Sequence, residues 1–320
     1  INWTGGALTI LDPHANTTAS NTLAFNNSTA HVNVPNTHTL KLGDGVSTDA
    51  GGNATNGFRL STFVGSRRIS FGNLEVNTTG GTNRQVTTAS NIGFNGNVTI
   101  EPSSEVVFGT SYVAGNIVNN GTFTSTAVLG LASYTDGTVS ATTNAQTIGG
   151  SGVYRNLAAA PTANLTSLTV NNTNATGVTL NIPLSVSGTL TMTSGFINTT
   201  DSNLLTLGTA TVAGTLAGTP SDTNMVRGPF ARTIANANAN TNYILFPVGK
   251  TTYAPIWAAP ATTAVSVMKA ETFDTNTGTQ SAAIANMATN RRWELPLVSG
   301  TITNINVRLG DAGVLATSIP

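Results

Sequence analysis

The chain is 320 residues long, and only 8% of them are charged, against about 25% in an average soluble domain. Its 13 basic and 13 acidic residues balance, so the net charge of zero argues against a nucleic-acid partner and a polybasic membrane patch. It contains no cysteine, which excludes disulfides, thiolate metal sites and a cysteine nucleophile, and no apolar run reaches the roughly 18 residues that membrane insertion requires.

Neutral polar residues must therefore wet the surface, and threonine alone occupies 57 positions. Short runs in which Val, Ile or Leu alternates with a polar residue predict β-strands, with Asn-Gly, Gly-Thr and Asn-Asn turns between them. Helical periodicity is nearly absent, and residues 281–290 are the best helical candidate. The fold class is predicted to be all-β. The predicted strands are 74–76, 97–100, 116–118, 165–170, 177–182, 184–192, 204–208 and 210–214.

Residues 1–70 are predicted to form an N-terminal β region or cap. The three histidines of the chain lie here, in Asn/Thr-rich stretches that favour solvated turns over a metal site. They are His14, His31 and His38. Asp44 and Asp49 lie five positions apart in GDGVSTDAGG, where they would hold a Ca²⁺ ion weakly together with backbone carbonyls. We favour the alternative, a glycine-rich surface loop, and therefore expect no cofactor, with Ca²⁺ left open.

Residues 71–222 are predicted to form a β-solenoid. The segments GNLEVN (72–77) and TSLTVN (166–171) both place Leu two positions before Val and end on Asn, which indicates an internal repeat. The scarcity of large aromatic residues also favours a thin solenoid, whose core is filled by small aliphatic residues stacked from coil to coil. Asn residues at the turns would then stack into side-chain ladders.

Residues 223–320 are predicted to form a β-sandwich-like domain, because aromatic and charged residues become more frequent near residue 222. Its predicted strands include 264–273, 291–297 and 303–309. Tyr253, Trp257 and Trp293 would either form an aromatic platform that binds carbohydrate or pack in the core of the sandwich. We favour the core.

No catalytic constellation is recognisable, so the chain is not predicted to be an enzyme. Acidic residues are scattered, and near neighbours such as Glu101 and Glu105 lie in a segment that resembles a turn beside a strand. Asn-x-Ser/Thr sequons are frequent and would matter if the host glycosylates exported proteins. The glycosylation candidates are Asn53, Asn77, Asn97, Asn120 and Asn174.

An ordered set of segments resembles large surface proteins of Bacteroidetes. The segments are SGVYRNL (151–157), SLTVNN (167–172), GVTLNIPLSVSGTLTMTSGFINTTDSNLLTLG (177–208), MVRGPFART (225–233), LFPVGKTTYAPI (245–256) and NRRWEL (290–295). Proteins of this kind are β-rich adhesins and gliding or surface-filament components that typically leave the cell through the type IX secretion system. The resemblance covers roughly residues 148–310. It implies an extracellular or cell-surface location, contact with the export machinery in transit and no catalytic motif; the C-terminal sorting domain of such proteins is not recognisable here.

These observations predict a non-catalytic structural stalk or adhesin segment of an exported bacterial cell-surface protein or filament. The chain begins and ends in mid-pattern, which favours a processed or partial piece that associates with itself or with neighbouring segments of the same protein. Two alternatives stay open: a self-assembling extracellular filament subunit, and a carbohydrate-binding β-helix module.

Overall fold

The structure, a computed structural model, contains strands and no helix in the residues that it describes, which confirms the all-β prediction. The described residues are 5–11, 23–25, 32–46, 58–62, 69–78, 85–88, 91–135, 137–156, 164–275, 291–311 and 314–315. The helical candidate 281–290 lies outside them. The chain divides into two compact units, Ile1–Ile182 and Pro183–Pro320, while the boundaries at residues 70 and 222 stay predictions.

The first unit is built from short strands joined by tight turns. They are β1 (Gly6–Ile10), β2 (Leu23–Phe25), β3 (Val32–Asn33), β4 (His38–Leu42), β5 (Phe58–Thr62), β6 (Ile69–Phe71), β7 (Asn73–Val76), β8 (Gln85–Thr88), β9 (Ile92–Phe94), β10 (Val98–Ile100), β11 (Glu105–Phe108), β12 (Ser111–Val113), β13 (Ile117–Asn119), β14 (Thr122–Ser125), β15 (Val128–Leu131), β16 (Ser133–Thr135), β17 (Thr138–Ser140), β18 (Gln146–Gly149), β19 (Val153–Asn156), β20 (Ser167–Asn171) and β21 (Val178–Leu180).

These strands form three parallel sets in which successive members recur along the chain. The first set is β1, β4, β7, β10, β13, β18 and β21. The second is β2, β5, β8, β11, β14 and β19. The third is β3, β6, β9, β12, β15 and β20. The sequence separation between register partners in the first set ranges from 19 residues, for Val98 and Ile117, to 34 residues, for Leu40 and Leu74.

Alternation within each strand sends one row of side chains into the core of the first unit. In the first set this row is aliphatic and fully buried; it includes Leu40, Leu74, Val98, Ile117 and Ile148. Each residue has its register partner directly beside it, so the same kind of side chain recurs at the same depth in successive strands.

Large aromatic rings also fill this core, so the expectation of a core poor in aromatic residues was wrong. Phe94 stacks on Phe71 at a centroid distance of 6.2 Å and on Phe108 at 5.6 Å. Phe123 lies 5.4 Å from both Phe108 and Tyr154. Phe71 and Phe94 are register partners, as are Phe123 and Tyr154, so the strand spacing of about 4.8 Å brings each pair to the separation that aromatic rings favour. Phe94 of the third set and Phe108 of the second set then join these pairs across the core, so a few rings suffice to build a continuous stack.

An antiparallel hairpin of β16 and β17 interrupts the parallel sets and packs on the outer face of the third set. Tyr134 of the hairpin stacks on Tyr112 of β12 with centroids 4.9 Å apart and an 11° interplanar angle. Gly93 of β9 permits this approach, since a Cβ atom there would lie 2.8 Å from the Tyr134 Cβ. The hairpin thus covers part of that outer face.

The second unit contains the remaining strands. They are β22 (Leu184–Val186), β23 (Thr189–Asn198), β24 (Leu205–Leu207), β25 (Thr215–Gly218), β26 (Asn224–Arg227), β27 (Phe230–Ile234), β28 (Ile244–Phe246), β29 (Val248–Gly249), β30 (Ile256–Thr262), β31 (Ser266–Phe273), β32 (Arg292–Glu294), β33 (Leu297–Ser299), β34 (Ile302–Asp311) and β35 (Val314–Leu315).

Parallel and antiparallel pairing meet at β27. This strand pairs in parallel with β24 and antiparallel with β31. Before it, β22, β24, β23, β25 and β26 pair in parallel. After it, β29 still pairs in parallel with β26, whereas one antiparallel sheet joins β27, β31, β32 and β33, and another joins β28, β30, β34 and β35. Phe230 and Phe246 bring the two sheets into contact, with ring centroids 6.4 Å apart.

Three predicted strands need revision. Residues 291–297 span two strands, β32 and the first residue of β33, with residues 295–296 between them outside any strand. Residues 184–192 form β22 and the start of β23, which pair with different neighbours. Residues 210–214 form no strand, because the backbone N–H of Thr209 donates to the Val212 carbonyl at 2.8 Å and the backbone N–H of Val212 donates to the Thr209 hydroxyl at 3.0 Å. These bonds close a turn, in which a threonine hydroxyl competes with ladder pairing.

Candidate functional site

Residues from three separate stretches of the second unit meet in one place, which we call the charged cluster: residues 250–254, 271–274 and 291–294. Thr272 pairs with Trp293 and Phe273 with Arg292 across β31 and β32. The Ala254 carbonyl accepts hydrogen bonds from the Trp293 indole at 3.1 Å and the Thr272 hydroxyl at 2.8 Å. The turn that follows β29 is thereby tied to β32, although the sequence separates them by about 40 residues.

Each carboxylate of the charged cluster faces a cation. Lys250 Nζ lies 2.6 Å from Glu271, and Arg292 lies 3.1 Å from Glu294. Glu271 and Glu294 are opposite each other across β31 and β32, a placement that would be repulsive without these two cations. The two cations therefore offset the repulsion between the Glu271 and Glu294 carboxylates.

Asp274 is the acid of the third ion pair in the charged cluster. Arg291 lies 3.6 Å from this carboxylate, and Thr251 donates to it from its backbone N–H at 3.0 Å and from its hydroxyl. Burial by itself would raise the pKa of Asp274, but the Thr251 hydrogen bonds and the charges of Arg291 and Lys250 outweigh it and lower the pKa. The Asp274 carboxylate is held in its ionised form.

The ring of Phe273 lies close to two cations of the cluster. The Arg292 guanidinium carbon lies 4.0 Å from the ring centroid, and Lys250 Nζ lies 5.4 Å from it. Cation–π attraction thus adds to the ion pairs. Chemically, the arrangement fixes β32 against β31 and leaves no carboxylate of the cluster without a charged partner.

The structure does not place the three predicted aromatic residues in one stack. Tyr253 and Trp293 belong to the charged cluster, where burial raises the pKa of Tyr253 to about 12 and the Trp293 N–H is satisfied. Trp257 lies instead in β30, between Leu245 of β28 and Arg308 of β34. No ring contact joins these three residues within the described chain.

A column of asparagines links successive strands of the first set in the first unit. The Asn73 side-chain oxygen accepts from the Asn97 backbone N–H at 2.8 Å, and Asn97 accepts from the Asn116 N–H at 2.8 Å. Asn116 continues the pattern by accepting from the Thr147 N–H at 2.8 Å. The column thus joins strands through bonds between side-chain oxygens and backbone N–H groups, and not through the amide-to-amide stacking that was predicted.

The glycosylation candidates that the structure describes are engaged in local contacts. Asn97 and Asn120 accept from backbone N–H groups through their side-chain oxygens, in the case of Asn120 from Ser151 at 3.1 Å. Asn174 donates its amide nitrogen, the atom that would carry a glycan, to the Thr143 carbonyl at 2.8 Å. Asn77 lies against Gly45, where a Cβ would approach its side-chain oxygen to 2.6 Å. Asn53 lies outside the described residues.

The candidate Ca²⁺ loop is described only at Asp44, whose side chain accepts from the Val46 N–H at 2.9 Å; Asp49 lies outside the described residues. Within the described ranges, no group of three His, Cys, Asp or Glu residues is placed to hold a metal ion. Glu105 forms an ion pair with Arg155 and accepts from Gln85 at 2.8 Å. His38 is buried at the start of β4, whereas His14 and His31 lie outside the described residues.

Sequence reasoning missed Tyr243 and Arg308, which lie with Trp257 on one face of the β28–β30–β34 sheet. The signal that could have revealed Arg308 was the alternation of polar residues along 303–309.

No helix in the described part of the chain has the length and hydropathy of a membrane span. No protein-family model, curated protein or solved structure matches the chain.

Proposed function

We propose that this chain is a non-catalytic structural segment, a stalk or adhesin segment, of an exported bacterial cell-surface protein. In this proposal the first unit is a β-solenoid, and the antiparallel part of the second unit is a β-sandwich-like module. The observation that carries the proposal is the recurrence of parallel pairing in three strand sets through the first unit.

The solenoid assignment is supported by the register. Leu40, Leu74, Val98 and Ile117 are successive register partners in the first set, and all are fully buried. The second and third sets repeat the same arrangement with their own buried rows. One turn of chain through all three sets would form a coil, and each coil would add about 4.8 Å along the stack.

A structural role is supported by how the first unit satisfies its polar groups. Its asparagine column joins neighbouring strands through neutral hydrogen bonds, as between Asn97 and Asn116. Such bonds depend little on ionic strength, because salt screens charges and not neutral dipoles. A stalk outside the cell, where salt varies, would benefit from stability of this kind.

A sandwich is supported by the two antiparallel sheets of the second unit. β31 alternates buried and half-buried residues over its whole length, and Met268 and Ala270 are among its buried residues. In the other sheet, Ile256 and Ala258 of β30 are completely buried. The Phe230–Phe246 contact joins these apolar faces.

Electron microscopy of the native cells tests the location and role. Gold-labelled antibody against this chain should bind to intact, unpermeabilised cells. Negative-stain images of the purified chain are recorded in parallel. Label on the cell exterior together with isolated purified particles is the expected result. Label that appears only after permeabilisation would refute a surface role, and filaments that grow with protein concentration would favour the self-assembling subunit.

A further inference from the structure

The outer face of the β28–β30–β34 sheet combines aromatic rings, amides and a cation. Leu245, Trp257 and Arg308 are direct cross-strand neighbours on this face. Tyr243 lies two positions before Leu245, and Asn306 lies two positions before Arg308, so both point to the same side. We call Tyr243, Trp257, Asn306 and Arg308 the aromatic face.

Trp257 differs from Trp293 in the hydrogen bonding of its indole N–H. The Trp293 N–H donates to the Ala254 carbonyl, as expected for a structural tryptophan. The Trp257 N–H is not a buried atom and has no protein acceptor among the described residues, while its ring is half-buried. Its ring edge lies over Gly310, where a Cβ would come within 2.8 Å of Trp257 Cζ3. The glycine thus lets the indole lie close to the sheet, with a donor left for a ligand.

Arg308 is exposed and carries a charge that no carboxylate among the described residues neutralises. Its guanidinium carbon lies 3.9 Å from the centroid of the Tyr243 ring, which orients the group and leaves its N–H donors unused. The cations of the charged cluster behave differently, since Lys250 and Arg292 each face a carboxylate. A fixed, unpaired guanidinium suits a carboxylate ligand, which it binds through two parallel hydrogen bonds.

The amides supply the hydroxyl-binding groups of the same face. Asn306 donates its amide nitrogen to the Asn240 carbonyl at 2.9 Å, which fixes the side chain and leaves its oxygen as an acceptor. Asn304, two positions earlier, accepts from the Ile305 N–H at 2.7 Å, which leaves its nitrogen as a donor. One free acceptor and one free donor on a flat strand match the hydroxyl groups of a sugar.

We propose that the aromatic face binds an anionic polysaccharide of the uronic-acid class. A pyranose ring lies on the indole of Trp257, its carboxylate pairs with Arg308, and its hydroxyls bond to Asn306. Asn304 lies four residues from Arg308 along β34, about 13 Å, and bonds to a hydroxyl of the adjoining sugar of the polymer. The inference is independent of the proposed structural function, because a failure to bind glycan would leave the fold and the structural role untouched.

Isothermal titration of the whole chain with polygalacturonate tests this site, with methyl-esterified polygalacturonate and dextran as uncharged comparators. We expect binding to the free acid, at least about tenfold weaker binding to the ester, and none to dextran. Binding should also weaken as salt is added. Equal affinity for the acid and its ester, or no binding to the acid, would overturn the proposal.

Two variants locate the site. Arg308→Gln removes the charge, and Trp257→Leu removes the ring face but keeps apolar packing over Gly310; each should weaken binding about tenfold or more. Lys41→Gln is the matched control, because it removes one surface cation from the first unit and should leave affinity unchanged. Unchanged thermal unfolding of the two site variants shows that they fold. Folded variants that bind as well as the parent would place the ligand elsewhere and refute the assignment.

Discussion

The first unit and the antiparallel part of the second unit satisfy their outward polar groups in opposite ways. In the first unit, asparagine follows asparagine along a column, as in Asn73, Asn97 and Asn116. In the second unit, Lys250, Glu271, Arg292 and Glu294 form a set of alternating charges. The topology explains this difference. Parallel strands that stack in register place equivalent positions side by side about 4.8 Å apart, so a repeated charge would repel itself at every step.

An amide side chain can occupy equivalent positions on successive strands without repulsion, because it carries both a donor and an acceptor. Antiparallel register pairs positions from distant parts of the sequence, so opposite charges can meet. Where the first unit does use charges on neighbouring strands, they have opposite sign, as in Lys41 and Glu75 at 2.7 Å. In-register parallel stacking thus favours the amide column of the first unit, and antiparallel register lets the opposite charges of the second unit meet.

The largest effect is expected from the aromatic stack of the first unit. Phe108→Ala removes a fully buried ring that contacts both Phe94 and Phe123, and it should cost about 3–5 kcal/mol of unfolding free energy. Urea unfolding followed by circular dichroism measures the change. Val107→Ala, on the outward side of the same strand, is the control and should cost less than about 1 kcal/mol. Equal costs for the two variants would contradict the assigned core.

A second substitution tests β27, where the two pairing modes meet. Arg232 is buried there and donates to the Leu245 carbonyl at 2.8 Å and the Gly214 carbonyl at 3.1 Å, and burial lowers its pKa to about 10. Arg232→Met leaves both carbonyls without this donor and should cost about 2 kcal/mol in urea unfolding. Lys269→Met, which removes a surface cation, should cost less than about 1 kcal/mol. A more stable Arg232→Met variant would mean that the buried cation is a net burden.

The asparagine column provides a smaller effect that should not depend on salt. Asn73→Ala removes the acceptor of the Asn97 N–H and a donor to the Asn36 carbonyl at 2.6 Å, at an expected cost of about 1–2 kcal/mol. Thr99→Ala, an outward position of the neighbouring strand β10, is the control with little expected effect. The cost of Asn73→Ala should be equal in low and high salt when measured by urea unfolding. A cost that vanishes in high salt would show that charges, not amides, act there.

The charged cluster should give the smallest effect, and that effect should depend on pH. Because the folded pKa of Asp274 is lowered below its ordinary value of 3.8, its stabilisation is present above that value and is lost as the pH falls through it and then through the folded pKa. Asp274→Asn should therefore cost about 1 kcal/mol or less at pH 7 and nothing in strong acid. Tryptophan fluorescence during urea unfolding at both pH values measures this. A difference that persists undiminished in acid would rule out the ionised carboxylate as its source.

Several features of the fold were predictable from the sequence because they depend on local patterns. Alternating Leu and Val identified strands such as β7 and β20, and the frequent asparagines indicated a column, though not its bonds to backbone N–H groups. The prediction of a strand at 210–214 was wrong because the hydroxyl of Thr209 closes a turn there, an interaction that the alternation of apolar and polar residues does not encode. The aromatic stack was missed because a low aromatic content does not show whether the few aromatic rings lie next to one another in the core.

The site was harder to predict than the fold, because its residues meet only through tertiary pairing. Trp257 and Trp293 look alike in the sequence, and only their partners separate them: Arg308 lies beside Trp257, and the Ala254 carbonyl binds Trp293. The FPVGK segment and the strand that carries RRW meet because both contact β31, the first through the Lys250–Glu271 ion pair and the second through strand pairing. The sequence alone does not reveal these contacts.

In-register parallel stacking in the first unit is the central claim, and disulfide trapping in the full chain tests it most directly. The chain has no cysteine, so any crosslink must come from introduced pairs. Thr99 and Val118 are register partners on adjacent strands, whereas Glu75 and Val118 are two strands apart, about 9.6 Å and beyond disulfide reach. Mild oxidation should crosslink Thr99→Cys with Val118→Cys and leave Glu75→Cys with Val118→Cys reduced. The reverse outcome, or no crosslink in the first pair despite thiols that react with maleimide, would contradict the stacked register.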